Sequence, residues 1–393
     1  MSSQYARHTL NPSLSGCVCI RCTAKLPIGD YFEGCPACLA EGQPSSVVSD
    51  FHSLPISVAG SSARGIARYA AWLPYSSWVS LGEGATSCLS FARLAEEVGI
   101  ERLFIKSEGQ NPSGSHKDRV SCLTVTRALD TGATRIVAAS SGNGGASLAL
   151  YAAAAGLACS IVVTPALTPI HHRAITLTGA DMIVVEDTME RWALVAKIAQ
   201  GQDCFPATNY LAPPVGSNHF GVEGLKTVAF ELVEDIGPRI DAVLVPTSRG
   251  DLVWGLYAGF QQMIAIGSIE RMPRLFVVEP FARLSKVLDG AETTESFSGA
   301  TSLFSIGGST VTYQAVEAVR RSGGGAVVID DAAVVRDASR LARHGCYAEL
   351  SSAATLTGVE TLLRQGKIRS DETVALIATS NGYKDMPSGV GLP

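Results

Sequence analysis

The sequence lacks the long apolar runs and basic clusters that mark membrane proteins and nucleic-acid-binding proteins. No apolar stretch reaches 18 residues, so we do not expect a transmembrane helix. The first residues show no charged segment followed by an apolar one, so we do not expect a signal peptide. The net charge is −5, and basic residues are neither clustered nor interleaved with aromatic ones. We therefore expect a cytoplasmic protein that neither enters a membrane nor binds nucleic acid.

Internal repeats are also absent, and charged residues make up 17% of the chain against 46% for hydrophobic ones. A chain of 393 residues with this composition predicts two or three domains. From about residue 51 onward, short apolar strands alternate with helices, which is typical of an α/β protein with a parallel sheet. Residues 14–44 are rich in Cys, Gly and Pro, and residues 45–50 (Ser-Ser-Val-Val-Ser-Asp) are predicted to be a linker.

The α/β pattern predicts individual elements. The predicted strands are 136–139, 160–163, 182–185, 242–245, 275–278 and 374–377. The predicted helices are an Ala/Leu-rich one that ends near Gly156, one that runs through Arg173 to Gly179, and one at about 252–266. Residues 287–310 are expected to be irregular.

Cysteine is concentrated near the start of the chain, where five of the ten lie between positions 17 and 38. Two C-x-x-C pairs lie twelve residues apart: Cys19 with Cys22, and Cys35 with Cys38. This spacing is typical of a structural, tetrahedral zinc site, with a hairpin and a turn at 29–30 between the pairs. Cys17 could replace Cys19 as a ligand, and reduced thiols without a metal are the alternative. The other five cysteines are predicted to be small core residues in a reducing compartment.

Residues 111–119 read Asn-Pro-Ser-Gly-Ser-His-Lys-Asp-Arg, a turn that leads into a helix. Ser115 and Asp118 have the spacing of a capping box, and Gly132 is a candidate end of the helix. Lys117 would then lie in the first turn, where the helix dipole disfavours a positive charge. That position lowers the proton affinity of an amine and helps to make it a nucleophile. On residue logic alone, a solvated lysine at a helix start explains the pattern better.

Two loops between a strand and a helix are candidate anion sites, because backbone amides at a helix start bind anions without a side-chain charge. Residues 140–145 read Ser-Ser-Gly-Asn-Gly-Gly and suit a carboxylate. Residues 246–251 read Pro-Thr-Ser-Arg-Gly-Asp and suit a phosphate. An ordinary strand-to-helix turn is the alternative for the first loop.

The segment 111–119 closely resembles the cofactor-lysine motif of threonine synthases, Asn-Pro-Thr-Gly-Ser-Phe-Lys-Asp-Arg. These enzymes belong to the tryptophan synthase β-like group of pyridoxal phosphate (PLP) enzymes. The resemblance continues in order from about residue 65 to 385, through Leu-Gly-Glu-Gly-Ala-Thr at 81–86, Glu-Gly-Leu-Lys-Thr at 223–227, Glu-Leu-Ser-Ser-Ala at 349–353 and Ala-Thr-Ser-Asn-Gly-Tyr-Lys-Asp at 378–385. For the first three of these segments, helix caps and turns explain the residues equally well on their own.

The resemblance implies the fold. We expect a fold-type-II PLP enzyme, with two three-layer α/β/α domains around mostly parallel sheets, in residues 51–393. A smaller subdomain of about 95–212 would be inserted in a larger one formed by about 51–94 and 213–393. Residues 14–44 would form a zinc-ribbon-like element, which some threonine synthases also carry.

The resemblance also implies roles around the cofactor. Lys117 would form the Schiff base with PLP and then act as the general base at Cα of an amino acid. Asn143 matches the residue that bonds the 3′-oxygen of the cofactor, and Thr379 matches the partner of its pyridine nitrogen, with Ser380 as an adjacent candidate. His116 replaces the usual Phe, as in tryptophan synthase β chains, and donates to a phosphate, moves a proton or packs on the ring. The cofactor phosphate would be held by Ser248, Arg249, Gly250 and Asp251.

Most relatives have several glycines in this phosphate loop. Asp251 would repel the phosphate unless it pairs with Arg249 or caps the helix.

The substrate would be an amino acid. The residues expected to hold its carboxylate are Ser140, Ser141, Gly142, Asn143 and Gly144, of which Ser141 and Gly144, like the adjacent Gly145, depart from the family pattern. Lys106 and Arg119 match basic positions of the family and are expected to help bind an anionic group. The run 171–173 (His-His-Arg) either faces a substrate anion or is an exposed helix start. The remaining histidines, at 8, 52, 219 and 344, are predicted to be surface or structural residues.

The resemblance implies a homodimeric threonine synthase that converts O-phospho-L-homoserine and water into L-threonine and phosphate. One alternative is a specialised relative, similar to cysteate synthase, that performs β-replacement or elimination on a phosphorylated or sulfonated amino acid. A serine/threonine dehydratase is another. A non-catalytic zinc-ribbon binding module with a degenerate PLP domain is the alternative outside enzymes, and the presence of Lys117, Asn143 and Thr379 argues against it.

Overall fold

The computed structural model describes residues 8–58, 62–201 and 203–385. The strands in these ranges are β1 (Leu14–Cys19), β2 (Lys25–Leu26), β3 (Val47–Phe51), β4 (Cys88–Ser90), β5 (Arg102–Ser107), β6 (Arg135–Ala139), β7 (Ala158–Val163), β8 (Asp181–Val184), β9 (Cys204–Pro206), β10 (Ala242–Pro246), β11 (Arg274–Glu279), β12 (Gly325–Val328) and β13 (Thr373–Ala378).

The α-helices in the same ranges are α1 (Pro36–Ala40), α2 (Ala92–Val98), α3 (Asp118–Asp130), α4 (Asn143–Ala155), α5 (Pro169–Leu177), α6 (Thr188–Ala199), α7 (His219–Val222), α8 (Lys226–Ile236), α9 (Asp251–Ala265), α10 (Leu284–Leu288), α11 (Tyr313–Ser322), α12 (Asp331–Arg343) and α13 (Leu350–Arg364). Short 3-10 turns lie at Gly65–Trp72, Glu108–Gln110, Glu223–Leu225, Phe304–Ile306 and Gly382–Lys384. None of these described helices is long and apolar enough to cross a bilayer.

The larger sheet has six strands in the order β12-β11-β10-β13-β5-β4, all parallel except for β4. Its central strands are buried on both faces, which explains their continuous apolar sequences. On β10, Val243 and Val245 face one core with α8, α9 and α11, whereas Leu244 faces a second core with α2, α12 and α13. The sheet is therefore the middle layer of an α/β/α unit.

The smaller sheet has four parallel strands in the order β8-β7-β6-β9. Ile136 and Ala138 of β6 face a core with α3, α4 and α5, whereas Val137 packs on the other face with Trp192 of α6. The predicted strands and helices are all present, within two residues at each described strand end. The α/β class and the two three-layer units are confirmed.

The division between the two units differs from the expected one. β5 lies inside the predicted smaller subdomain, yet it pairs in parallel with β13 in the larger sheet. The strands of the smaller sheet all lie between residues 135 and 206. A buried parallel strand has the same apolar sequence in either sheet, so the sequence does not reveal which sheet receives it.

The N-terminal element is a three-stranded antiparallel sheet in the order β2-β1-β3. The predicted linker at 45–50 is wrong, because Val47–Phe51 forms β3, and Val47 is buried. The observed hairpin turns between β1 and β2, at the first cysteine pair, and not at positions 29–30. None of the ten cysteines, all of which lie in the described residues, forms a disulfide.

Candidate active site

A cavity of about 490 Å³ opens between the two sheets. It is lined by the loop after β6, the loop after β10, the residue after β13 and the start of α3. The carboxyl ends of parallel strands commonly form such crevices, because their connections leave room for a ligand there. The cavity therefore brings together segments that are more than 200 residues apart in sequence.

Lys117 lies immediately before α3 and lines the cavity. The predicted capping box is wrong because the Asp118 carboxylate accepts from Ser113 and not from Ser115. The backbone amide of Ser113 donates to this carboxylate at 2.6 Å, and the Ser113 hydroxyl donates to it as well. Burial lowers the pKa of the Lys117 amine below its usual value, with smaller effects from the charges of Asp251, Arg249 and Glu349. A buried amine of this kind is unprotonated more often than a surface lysine, as a nucleophile or a base requires.

The β6–α4 loop (140–145) wraps the start of α4. The amide of Gly145 donates to the Ser140 hydroxyl at 2.9 Å, and a Cβ at Gly145 would lie 2.6 Å from the Ser140 carbonyl oxygen, which explains the glycine. No described residue accepts a hydrogen bond from the amides of Asn143 or Gly144. These amides at the start of a helix are free to bind an anion such as a carboxylate.

The Asn143 side chain is the centre of a polar cluster at the cavity wall. Its Nδ2 donates to Glu349 Oε2 at 3.0 Å, and its Oδ1 accepts from Lys384 Nζ at 2.8 Å. His171 Nε2 lies 3.3 Å from the same oxygen, and burial, followed by the charge of Lys384, lowers the pKa of His171 to about 4. His171 is therefore neutral at pH 7, whereas its neighbours His172 and Arg173 are exposed.

In the β10–α9 loop (246–251), Gly250 is the last residue before α9 and has a φ of +103°. A Cβ there would lie 2.2 Å from Cβ of Ala315, so the position requires glycine. The Asp251 carboxylate neither pairs with Arg249 nor caps the helix. It accepts from Ser217 Oγ at 2.6 Å and from Gln314 Nε2 at 2.7 Å, and so leaves the amides at the start of α9 available.

The segment after β13 faces the cavity through Thr379 and not through Ser380. The Thr379 hydroxyl lies 3.0 Å from Ser352 Oγ, whereas the Ser380 hydroxyl is buried and donates to the Gly114 carbonyl at 2.9 Å. Of the two candidates for a ring-nitrogen partner, the geometry favours Thr379. The Ser380 contact instead fastens the end of β13 to the turn that precedes Lys117.

His116 lines the cavity beside Lys117. Burial, and then the charge of Lys117, lowers the pKa of His116 well below its usual value, so the imidazole is neutral. Its Nδ1 lies 3.4 Å from the Thr379 carbonyl oxygen. His116 therefore serves better as a neutral packing and hydrogen-bonding group than as a cationic donor to a phosphate.

Lys106 and Arg119 do not line the cavity, and this corrects the prediction that they bind a substrate anion. Arg119 is fully buried and bonds Glu108 and Glu231 at 2.7 Å each. Lys106 is fully buried as well and lies 2.8 Å from Glu231. The sequence shows the basic residues but not the carboxylates that neutralise them, which come from segments as far as 129 positions away.

Three residues at the site were not singled out from the sequence. Glu349 lies in a matched segment but had no assigned role, and burial raises the pKa of its carboxyl. Lys384 likewise lies in a matched segment. Arg191 lies on α6 and lines the cavity, although nothing in its local sequence distinguishes it from an exposed helical arginine.

The four cysteines of the two C-x-x-C pairs converge, with their sulfur atoms within 4.8 Å of one another. Cys19 and Cys38 are 3.7 Å apart, as are Cys22 and Cys35. Four sulfurs around a tetrahedral zinc would be roughly 3.8 Å apart, given Zn–S bonds of about 2.3 Å. Cys17 is excluded from the cluster because its sulfur lies 3.4 Å from His219 Nε2 instead.

A family model described as pyridoxal-phosphate dependent enzyme matches residues 79–380. The threonine synthase of Methanocaldococcus jannaschii is 29% identical over 391 residues, which cover 95% of this chain and 93% of that protein. The threonine synthase of Bacillus sp. (strain ULM1) is 30% identical over 328 residues, or 81% of this chain and 89% of that protein.

Solved structures share the fold. Maize serine racemase superposes with a TM-score of 0.65 at 23% identity, over 77% of this chain and 89% of that one. The processed threonine deaminase isoform 2 of Solanum lycopersicum has a TM-score of 0.63 at 17% identity, over 77% of this chain and 85% of that one. The chain therefore belongs to the family of pyridoxal-phosphate-dependent enzymes, with the fold-type-II architecture, as a PLP-dependent lyase similar to threonine synthases.

Proposed function

We propose that the protein is a threonine synthase, which converts O-phospho-L-homoserine and water into L-threonine and phosphate. The observation that carries this proposal is the meeting of three groups in one cavity: the Lys117 amine, the free amides of α4 and the start of α9. Relatives that match more than 80% of the chain are named threonine synthase, which supports the choice of reaction.

The residues around the cavity fit PLP. Lys117 would bond the cofactor, and Arg249 with the amides at the start of α9 would hold its phosphate. Asn143 would reach its 3′-oxygen, and Thr379 its ring nitrogen. When bound, PLP withdraws electrons from the Cα of an attached amino acid.

The side chains supply positioning and proton transfer. The amides of Asn143 and Gly144 would bind the substrate carboxylate and fix the orientation of Cα. Lys117, with its lowered pKa, would then remove the Cα proton. A hydroxyl at Thr379 does not hold a ring nitrogen protonated as a carboxylate would, which favours expulsion of a leaving group over a long-lived carbanion.

The direct test is a phosphate-release assay with O-phospho-L-homoserine on PLP-loaded protein, with threonine measured in parallel. Equal amounts of phosphate and threonine are expected. Phosphate with 2-oxobutanoate and no threonine would identify an elimination without controlled water addition. No turnover by a protein with a normal PLP spectrum would overturn the proposal.

A second candidate is β-replacement or elimination on another phosphorylated or sulfonated amino acid. The observation that favours it is the altered β10–α9 loop, where Ser248, Arg249 and Asp251 surround a single glycine. The same assay with O-phospho-L-serine in place of O-phospho-L-homoserine separates the two. A dehydratase would instead accept L-serine or L-threonine without a phosphate.

We also propose that Cys19, Cys22, Cys35 and Cys38 bind one structural zinc ion, that the active form is a homodimer and that it works in the cytoplasm. The sulfur spacing supports the zinc site. Elemental analysis of the purified protein is expected to give one zinc per chain. Light scattering is expected to give twice the mass of the chain, and a monomer with full activity would contradict the dimer.

A further inference from the structure

Arg191 lies in the first turn of α6 and reaches the wall of the cavity. Its Nη1 donates to Ser141 Oγ and its Nη2 to Thr188 Oγ1, each at 3.1 Å. Its Nε is buried without a hydrogen-bond partner. These two bonds use two of the five N–H groups, so each Nη keeps one N–H for a ligand.

No described carboxylate lies within 4.0 Å of the Arg191 guanidinium. The nearby Asp187 caps α6, since one of its oxygens accepts from the amides of Met189 and Glu190 at 2.7 and 2.9 Å. Burial, and after it the charge of Arg249, lowers the pKa of Arg191. Arg191 is therefore a half-buried cation with hydroxyl partners only, an arrangement that favours an anionic ligand.

Arg249 is a second guanidinium at the same cavity, and it lies 5.6 Å from the ring centre of Trp192, the residue after Arg191. The two arginines come from different subdomains, and the described acids do not form an ion pair with either of them. Two neighbouring cations in one cavity repel each other unless anions separate them. The cofactor phosphate accounts for one anion, at Arg249, and leaves Arg191 without one.

Ser141 connects Arg191 to the loop that is proposed to hold the substrate carboxylate. Its hydroxyl accepts from the Arg191 guanidinium and from the Thr164 amide at 2.9 Å, so the contact is held from two sides. A substrate bound at the start of α4 therefore lies beside the Arg191 guanidinium. A second anionic group on that substrate is the ligand that this geometry leaves room for.

We propose that Arg191 is a specificity-determining residue that binds a tetrahedral anionic group on the side chain of the amino-acid substrate, a phosphate in the first instance. This inference rests on the proposed function, since it assumes an amino acid in the same cavity. The two free Nη–H groups suit two oxygens of a phosphate, which an ammonium group cannot match. The residue would make the enzyme select phosphorylated amino acids over their hydroxyl parents.

The test is binding to the PLP-loaded protein, followed through the rapid change in its absorbance spectrum that precedes product formation. O-phospho-L-homoserine and O-phospho-L-serine are compared with L-homoserine and L-serine, for the wild type and for Arg191→Gln. A charge-assisted contact predicts about 10- to 100-fold weaker binding of the phosphorylated ligands to Arg191→Gln. The affinity for the hydroxyl parents and for PLP is expected to change less than about twofold.

Arg173→Gln is the matched control, because Arg173 is exposed on α5 and does not line the cavity. It is expected to behave as the wild type with every ligand. Arg191→Lys keeps the charge but loses the two-pronged donor, and an intermediate loss is expected. This variant also keeps the test decisive where Arg191→Gln folds poorly. Inorganic phosphate at millimolar concentration is expected to compete with the phosphorylated ligands in the wild type and in Arg173→Gln, but not in Arg191→Gln.

Three results would overturn the inference. Equal weakening for hydroxyl and phosphorylated ligands would assign Arg191 to the substrate carboxylate. Reduced PLP affinity in Arg191→Gln would assign it to the cofactor phosphate. Unchanged affinities would assign it no role in binding. Failure of the proposed function looks different, because then threonine does not form from O-phospho-L-homoserine although the phosphate still strengthens binding through Arg191.

Discussion

Asp30 of the N-terminal element forms a two-pronged ion pair with Arg127 of α3, with Oδ1 3.0 Å from Nε and Oδ2 2.8 Å from Nη2. The pair is mostly buried, with side-chain exposures of 10% for Arg127 and 14% for Asp30. Because α3 follows Lys117 directly, this contact links the cysteine-rich element to the helix that positions the proposed cofactor lysine.

Asp30→Asn is expected to lower the free energy of unfolding by about 1–3 kcal/mol, since it leaves Arg127 with a weaker partner in a buried place. Asp50→Asn is the matched control. Asp50 pairs with Lys25, whose side chain is 82% exposed, so its loss is expected to cost less than about 1 kcal/mol. Urea denaturation of both variants measures the difference, and equal losses would contradict the linking role of Asp30.

Lys117→Ala is expected to abolish the long-wavelength absorbance band of the PLP-loaded protein, because no other amine replaces the bond to the cofactor. Lys197→Ala, on an exposed face of α6, is expected to keep the band. In the wild type, the rate of PLP uptake by the apoprotein is expected to rise with pH, with a midpoint below the ordinary lysine value of about 10.4. The rate rises with pH because only the unprotonated amine attacks the cofactor. A midpoint at or above the ordinary lysine value would contradict the buried state of Lys117.

The buried acid–base cluster predicts a loss of stability in acid. Burial alone would raise the pKa of Glu231, but the charges of Arg119 and Lys106 lower it to about 2. A carboxylate whose pKa is lower in the folded state than in the unfolded state stabilises the protein fully at pH values above the unfolded-state pKa. This contribution disappears as the pH falls to the folded-state pKa. The wild type is therefore expected to lose stability between about pH 4.5 and pH 2.

Glu231→Gln is expected to flatten this part of the stability profile, whereas Glu101→Gln, at an exposed position, is expected to leave it unchanged. Arg119→Met is expected to cost about 3–5 kcal/mol, since it leaves two buried carboxylates with one cation fewer. Denaturation at several pH values measures all three. A profile of Glu231→Gln as steep as that of the wild type would contradict the proposed titration.

Two serine substitutions, Cys19→Ser and Cys17→Ser, test which of these cysteines binds the metal. Cys19→Ser is expected to lose bound zinc, because it removes one of four converging sulfurs. Cys17→Ser is expected to keep it, since the Cys17 sulfur contacts His219 instead. Zinc is measured by elemental analysis after gel filtration, and metal loss from Cys17→Ser alone would show that the ligand set is wrong.

Gly250→Ala is expected to weaken PLP binding by more than tenfold, because an added methyl group would meet Ala315 in a backbone conformation that favours glycine. Gly267→Ala is the control, since Gly267 also has a positive φ, of +73°, but its Cβ would meet open space. Spectroscopic titration with PLP gives both affinities. Similar affinities for the two variants would remove the β10–α9 loop from the cofactor site.

Much of the fold was predictable because parallel strands buried on both faces leave clear apolar runs, as at 242–245 and 374–377. The cavity loops followed from the same pattern, since each begins where such a run ends. The pairing of β5 was not predictable, because a short apolar strand carries no mark of its neighbour. The strand Val47–Phe51 was missed since Ser49 and Asp50, and the two serines before the strand, are typical of a linker.

The candidate site was also predictable only in part. Lys117 and Asn143 lie in motifs that local sequence and resemblance both indicate. Lys106 and Arg119 were misassigned because the charge of a residue is visible in sequence, whereas its partner is not. Arg191 was missed because its place in the cavity wall depends on the fold and not on its neighbours along the chain.

The contact between the Ser380 hydroxyl and the Gly114 carbonyl is accompanied by a second link, in which the His116 amide donates to the Thr379 carbonyl at 3.0 Å. The lysine and the proposed ring-nitrogen partner therefore belong to one hydrogen-bonded frame. PLP binding would require little ordering of the backbone at these two points. Any closing motion around the substrate would therefore carry Lys117 and Thr379 together.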